Sequence, residues 1–371
     1  MRIGIDAREL VGQATGIGRY VAHLCREWSR APIAEEHRFV LYVPDTASPS
    51  SRSFPFLEVA DRFDVTVVPG GAGTRWEQAA LPPIANADHL DVFFAPAYSA
   101  PLRLTPPCVL TIPDVSFAAH PEWFTWREGL RRRWLATRAA ARAVRVLTIS
   151  EFSRREISNH LGVQIDRIQV TPLAVENHRC AVTPRPPREP LVLYVGSIFT
   201  RRHLPLLIAA FARARRRVPA ARLVIIGSNR TYPKEDLRAT ATEKGVGEQV
   251  TIEDWVEEDR LTACYARAGA FAFLSEYEGF GLPPLEAIAA GIPSIVLDTP
   301  VAREVYGNAV TYVTLHDVDG IVDALVQALQ TAPAPEEPDP AVRELLARYS
   351  WSSTASRTLA ELTRAARSAR P

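Results

Sequence analysis

The segment 275–291, SEYEGFGLPPLEAIAAG, gathers the residue types most able to do chemistry. Glu278 and Glu286 stand with seven residues between them, with Gly279 and Gly281 beside the first and Pro283 and Pro284 ahead of the second. An apolar run at 270–274 leads into it, so the order reads strand, glycine loop, helix. Glycine lets backbone N–H groups approach a ligand closely. Proline suits the entrance and first turn of a helix, and the helix N-terminus carries partial positive charge suited to phosphate. Glu278 falls on the loop and Glu286 in the expected first helical turn. The same carboxylates also fit helix capping, so spacing alone leaves ligand binding and capping open.

A second candidate is the pair Arg201 and Arg202, just after the apolar run 191–196. Planar guanidinium forks suit phosphate oxygens. The plain alternative is two solvated arginines at a helix start. A third is the segment from Trp123 to Arg145, with seven arginines against one acid, Glu128, and four aromatics, Trp123, Phe124, Trp126 and Trp134, at or near its start. A basic helix carrying aromatics suits an anionic lipid surface, which makes this a candidate peripheral membrane contact. The alternative is a solvated helix face with Trp134 and Leu135 in the core.

Short Val/Ile/Leu-rich runs must position these groups. They lie at 2–6, 39–43, 65–68, 92–95, 109–112 and 146–149, then at 191–196, 223–227, 250–252, 270–274, 294–297 and 310–313. Continuous rather than alternating apolar runs predict parallel strands buried on both faces. Helix-length segments such as 18–29, 127–142, 204–218 and 284–291 separate many of them. Strand–helix–strand repetition predicts an α/β, doubly wound architecture.

The proline-rich stretch 178–190 breaks the series and reads as a linker. The expected domains are 1–180, a linker at 181–190, a second domain at 191–350, and a C-terminal helix at 351–371 packing back on the first. A proline cluster at 333–340 precedes that helix. Ligands in such sheets bind beyond the carboxyl ends of the strands. The expected site is a cleft between the two halves.

The chain has 371 residues, 47% hydrophobic and 23% charged, with 43 Lys+Arg against 42 Asp+Glu. That composition excludes a disordered, collagen-like or disulfide-stapled chain. The even charge argues against a nucleic-acid binder. Four cysteines without CxxC spacing read as reduced thiols of a cytoplasmic protein. The N-terminus lacks the features of a signal peptide.

The segment 275–291 closely resembles the paired-glutamate signature, E-x7-E, of retaining glycosyltransferases with the GT-B fold, family 4. The opening IDARELVGQATGIGRY resembles that family's N-terminal glycine loop. ISEFS at 149–153, YVGSIFTRRHL at 194–204 and LDTPVARE at 297–304 resemble further family segments in the same order. The resemblance covers nearly the whole chain. It implies two Rossmann-like domains and hexose transfer from a nucleotide sugar, GDP-mannose or a UDP-hexose. The acceptor would be a saccharide or a lipid-linked saccharide, with no metal or other cofactor.

Residue by residue, the resemblance implies that Glu286 accepts hydrogen bonds from ribose hydroxyls and Glu278 lies against the donor sugar. The backbone at Phe280, Gly281 and Leu282 would cradle sugar and diphosphate, with Gly16 and Gly18 closing from the first domain. Gly196 and Ser197 would belong to the phosphate-binding strand end, although many members have an arginine where Ser197 stands. Arg201 and Arg202 would stabilise the charge on the departing diphosphate.

Members usually carry histidine in a T-[IV]-H-D sequence, where this chain has Thr111-Ile112-Pro113-Asp114. Proline has no titratable group and no N–H. Pro113, Asp114 and His120 are therefore the acceptor-side candidates, with Asp114 or His120 taking over part of the polar contact. Loss of that histidine leaves open a sugar-nucleotide-binding subunit without turnover. An epimerase of the same fold lacks a visible acid/base set. In the other large glycosyltransferase fold Asp-x-Asp binds a metal; here Asp317-Val318-Asp319 follows a late strand and reads as a loop or helix cap.

Overall fold

Branched aliphatic runs form thirteen strands among the described residues, every pairing between them parallel. A computed structural model of the chain describes residues 1–12, 16–46, 61–175, 187–330 and 340–368. The strands are β1 (Arg2–Asp6), β2 (Arg38–Pro44), β3 (Phe63–Val68), β4 (Val92–Ala95), β5 (Cys108–Thr111), β6 (Arg145–Thr148) and β7 (Ile168–Val170). The second series is β8 (Glu189–Val195), β9 (Arg222–Ile226), β10 (Val250–Glu253), β11 (Ala268–Phe273), β12 (Ser294–Leu297) and β13 (Thr311–Val313). Central strands β4, β5 and β11 are buried along their whole length, as continuous apolar runs demand in a sheet covered on both faces.

The chain divides into two units. Unit 1 comprises Met1–Pro121, Trp126–Leu173 and Tyr349–Pro371. Its sheet has the order β3-β2-β1-β4-β5-β6-β7. Stacked Trp28, Phe39 and Phe63, with centroids 5.1 and 4.8 Å apart, fill part of its core. The C-terminal helix Trp351–Ser368 belongs to this unit: Trp28 Nε1 donates to the Ala355 carbonyl at 3.0 Å, and Trp351 stacks on His23 at 4.2 Å.

Unit 2 comprises Glu122–Thr125 and Ala174–Arg348, and its sheet has the order β10-β9-β8-β11-β12-β13. In each unit the strand order reverses once, at β1/β4 and at β8/β11. Loops leaving those strand ends diverge and open a crevice, the usual ligand position in doubly wound sheets.

The units divide at Leu173/Ala174 rather than at 180/181, and Tyr349 and Ser350 fall in unit 1 rather than the second domain; two further boundary differences bear on the site. Of the linker expected at 181–190, residues 181–186 lie outside the described residues, but Glu189 and Pro190 open β8. Proline cannot donate to the ladder; the pairing of β11 with β8 shifts register between Ala268 and Ala270, opposite this proline. Arg188 anchors the entry, donating to the carbonyls of Ala268, Ala290 and Gly291 at 3.1, 3.2 and 2.5 Å. The second difference is that Glu122–Thr125, expected in the first domain, belongs to unit 2. Most of the proline cluster at 333–340, and Cys180, lie outside the described residues.

Candidate functional site

Two loops meet at the reversal point of the unit 2 sheet. One follows β8 and carries Gly196 to Arg202; the other follows β11 and carries Leu274 to Gly281. Gly196 and Gly227 make the first loop possible. A Cβ on Gly227, at φ +154°, would lie 2.0 Å from the Gly196 carbonyl oxygen. Gly196, at φ +138°, would press a Cβ to 2.7 Å from an Arg202 terminal nitrogen.

Arg202 is buried and bound within the protein. Its Nε donates to Glu278 Oε1 at 2.8 Å, and one terminal nitrogen donates to the Ser197 carbonyl at 2.5 Å and contacts the Tyr194 hydroxyl at 3.3 Å. Phe273 lies under the guanidinium at 4.8 Å. Burial works against its charge, but the neighbouring Glu278 and Tyr194 outweigh burial and hold the pKa above the ordinary arginine value. Ser197 thus supplies a backbone acceptor to Arg202.

Glu278 is held from two sides through one oxygen, Oε1, which also accepts from the Ser275 hydroxyl at 2.7 Å. The Arg202–Glu278 pair spans 76 residues of sequence. Glu286 accepts from the Tyr265 hydroxyl at 2.9 Å. The helix runs Leu282–Ala289, so Glu286 lies in its second turn rather than the first. The turn before it depends on Gly281, at φ +88°, whose carbonyl accepts from the buried Tyr306 hydroxyl at 2.7 Å. Phe280, whose carbonyl lies 3.4 Å from the same hydroxyl, is buried.

Arg201 differs from its neighbour. Its Nε donates to the Tyr277 carbonyl at 3.2 Å, and its own carbonyl accepts from the Glu276 N–H at 3.1 Å. Its terminal nitrogens have no protein acceptor among the described residues. Two rings flank the guanidinium, Phe199 at 4.2 Å and Trp123 at 5.6 Å. Trp123 also meets Tyr277 edge-to-face at 6.0 Å. Aromatic faces stabilise a desolvated guanidinium by about 0.5–2 kcal/mol without occupying its N–H groups.

Trp123, Phe199, Tyr194 and Tyr306 were not singled out as site residues from sequence. Trp123 stood out only as an aromatic beside a basic helix, because its partner is 78 residues away (201 minus 123). Removing the Trp123 ring should free Arg201 to sample other rotamers. We expect Trp123→Ala to lower kcat about tenfold with donor KM little changed, roughly the 1.4 kcal/mol that tenfold represents, and Trp123→Phe to restore most of it. Equal kcat in all three proteins would remove Trp123 as a positioning residue.

The remaining candidates lie in unit 1. Gly16 and Gly18 open the helix Gly16–Arg30; residues 13–15 of the preceding loop lie outside the described residues. A Cβ at Gly16 would meet nothing within 4 Å, so local packing does not demand glycine there. The Pro113 carbonyl accepts from the Ser153 hydroxyl at 2.8 Å. Asp114 accepts from the Tyr98 hydroxyl at 2.7 Å and from the Ser116 N–H at 2.9 Å, opening the short helix Ser116–Ala119. His120 ends that helix, half-buried, its N–H bonded to the Ser116 carbonyl at 2.8 Å.

A polar cluster missed from sequence lies at the end of β1. Arg8 binds both oxygens of buried Asp6 and donates to buried Glu77 at 2.6 Å. Glu77 also accepts from Ser99 at 2.7 Å and Gln78 at 2.9 Å. It lies in a π-helical turn, Trp76–Ala80, a form that concentrates at functional sites. Burial opposes the charge on Arg8, but Asp6 and Glu77 outweigh it and raise its pKa. Asp6 and Arg8 were visible in IDARE; Glu77 gave no local signal. Asp317, at the Asp-x-Asp, accepts from the Gly320 N–H at 2.8 Å and caps the helix Val318–Gln330.

Known proteins resemble both units. The family model for glycosyl transferases group 1 matches residues 179–344, and that for glycosyltransferase family 4 matches residues 14–179. An O-antigen chain mannosyltransferase B from Escherichia coli is 29% identical over 266 residues, 66% of this chain and 67% of that protein. A GDP-mannose-dependent alpha-(1-6)-phosphatidylinositol monomannoside mannosyltransferase from Mycobacterium tuberculosis is 32% identical over 177 residues, 45% of each. The chain thus spans under half the length of that second relative. Among solved structures, Anabaena HepE in complex with UDP and glucose superposes with a TM-score of 0.73 at 16% identity, covering 98% of this chain and 100% of that one. That likeness speaks to fold.

Proposed function

The chain belongs to the GT-B glycosyltransferases of the family 4 type, and from that premise we propose that it is a retaining hexosyltransferase. It moves a hexose from a nucleotide-diphosphate sugar to an acceptor hydroxyl in glycoconjugate synthesis. The observation that carries this reading is Arg201: a buried, ring-flanked guanidinium whose terminal nitrogens have no acceptor among the described residues, at the β8/β11 crevice.

In this reading unit 2 holds the donor. Arg201 meets the diphosphate, and Arg202 fixes Glu278 so that its second oxygen faces a sugar hydroxyl. Glu286, steadied by Tyr265, takes the ribose hydroxyls. The bond between the anomeric carbon and the diphosphate oxygen breaks, and charge builds on the β-phosphate. Arg201 stabilises that charge as it forms. The acceptor oxygen bonds to the anomeric carbon from the leaving-group side, and its proton passes to the departing phosphate oxygen. No protein base is then required, which suits a chain with Pro113 in the histidine position. On unit 1 the half-buried Asp114 offers a carboxylate for an acceptor, while Asp6 and Glu77 are buried in their own ion pairs with Arg8.

GDP-mannose is the first donor to try, because both relatives are named mannosyltransferases and the Mycobacterium tuberculosis one is named GDP-mannose-dependent; a UDP-hexose is the second. The phosphatidylinositol acceptor named for one relative supports a saccharide or lipid-linked acceptor. The test is a screen of GDP-, UDP-, dTDP- and ADP-sugars, following nucleoside diphosphate release with and without a mixed acceptor pool, in the presence of a chelator. Acceptor-dependent release from one donor, unaffected by the chelator, is the expected result. A thermal shift with a donor but no release with any acceptor would replace this reading with a sugar-nucleotide-binding subunit.

A further inference from the structure

The helix Trp126–Arg142 in unit 1 carries an unusual outer face. Trp126 is 72% exposed, Leu130 63% and Trp134 51%. At about 100° per residue these three fall within an arc of about 80°, along one side of a helix roughly 25 Å long. The buried residues Leu135, Ala136, Ala139 and Ala140 fall outside that arc, at about 180–320° from Trp126. The expectation that Trp134 and Leu135 would both enter the core is therefore half corrected: Leu135 is buried, and Trp134 points outward.

Charge follows the same geometry. Arg127, Arg131, Arg138 and Arg142 fall about 100–160° around from Trp126 and form one basic flank; Arg133 lies close to Trp126 on the other side. All five are exposed. Arg127 and Arg138 lie over the rings of Trp126 and Trp134, at 5.2 and 5.7 Å. The one acid, Glu128, is paired with Arg132 at 2.5 Å. Single exposed apolar residues need no explanation, but a contiguous ridge with a basic flank does.

We propose that this face is a docking surface for an anionic phospholipid bilayer. The ridge of two indoles and a leucine enters the headgroup–acyl boundary, and the arginines lie at the level of the lipid phosphates. Charge complementarity selects this occupant: five guanidiniums without a carboxylate partner among the described residues, around an apolar ridge, match a surface that is negative outside and apolar beneath. The helix lies on the membrane and does not cross it, since no helix of the described residues is long and apolar enough to span. Trp123, expected as part of the membrane segment, is excluded from it because its ring is committed to Arg201 and Tyr277. The proposal is independent of the donor and of turnover.

The test is co-sedimentation with vesicles of equimolar phosphatidylglycerol and phosphatidylcholine, and with phosphatidylcholine alone. Binding to the anionic vesicles with a blue shift of tryptophan emission is expected. It should fall at about 1 M salt, where the screening length is about 3 Å. Each of Arg127→Gln, Arg131→Gln and Arg138→Gln should weaken binding roughly fivefold. The triple variant Trp126→Ser, Leu130→Ser, Trp134→Ser should remove it while leaving soluble-donor turnover and melting unchanged, because all three side chains are exposed. Absence of binding, or binding unchanged in the triple variant, would overturn the proposal. So would a concentration-dependent dimer in lipid-free solution that the triple variant abolishes, since a second copy would then cover the ridge.

Discussion

Arg202→Met is expected to cost both turnover and stability, whereas Arg201→Met costs turnover with a smaller loss of stability. Arg202 is buried with Glu278, and their side chains are only 9% and 15% exposed. Removing one partner of a buried pair leaves the other charge uncompensated, at a cost of about 3–5 kcal/mol. It also releases the Ser197 carbonyl and the loop after β8. Turnover should fall roughly a thousandfold, the upper end for loss of a group that organises transition-state charge. Arg201 has no carboxylate partner among the described residues, so Arg201→Met strands no charge. It loses the buried hydrogen bond to the Tyr277 carbonyl, about 1–3 kcal/mol, less than Arg202→Met, and should still lose roughly a hundredfold in kcat. Denaturant unfolding and single-turnover kinetics on both variants check this. Adding Glu278→Gln to Arg202→Met should recover stability without activity. A stable, active Arg202→Met would show that the pair neither holds the loop nor serves the chemistry.

Gly281→Ala is expected to damage the donor loop by a different route. The residue is at φ +88°, and an added Cβ would lie 2.0 Å from the Tyr306 hydroxyl oxygen and 3.2 Å from the ring carbon that bears it. Left-handed backbone costs an alanine about 1 kcal/mol, and overpacking adds about 1–3 kcal/mol. Donor affinity should fall with stability, because the same turn leads into the helix that carries Glu286. The clash is with one atom, which makes it testable. Tyr306→Phe removes that oxygen, so Gly281→Ala/Tyr306→Phe should be more stable than Gly281→Ala alone, a coupling of about 1 kcal/mol or more. Simple additivity of the two substitutions would contradict the steric account.

Much of the architecture is legible in the sequence because its strands are continuous apolar runs. β1, β4 and β12 fall at the expected residues, and most others differ by one or two at an end. β7 escapes because Gln169 breaks the apolar run in Ile168–Val170. Glu189 and Pro190 look like linker because proline normally argues against a central strand, and the register shift at Ala268/Ala270 that admits it has no local signature.

The same division applies to the candidate site. Glu278, Glu286, Arg201 and Arg202 stand out as contiguous motifs. Their partners do not: which arginine binds Glu278, and which is left with open terminal nitrogens, depends on contacts 76 residues apart. Trp123 and Trp126 look alike in sequence, three residues apart in one basic stretch. One closes over Arg201 in unit 2; the other is exposed on a helix of unit 1. Glu77 is invisible because buried carboxylates are recognised by their partners, here Arg8 and Ser99 from elsewhere in the chain.

The central claim is that the unit 2 crevice binds a nucleotide sugar and that its transfer drives nucleoside diphosphate release. Its most direct measurement is acceptor-dependent release from the best donor, compared between wild type and Glu286→Ala. The account predicts release by the wild type and a loss of roughly a hundredfold or more in kcat/KM for the variant, about 2.7 kcal/mol. Equal release by both proteins would contradict it, since the residue assigned to the ribose would then contribute nothing to donor use.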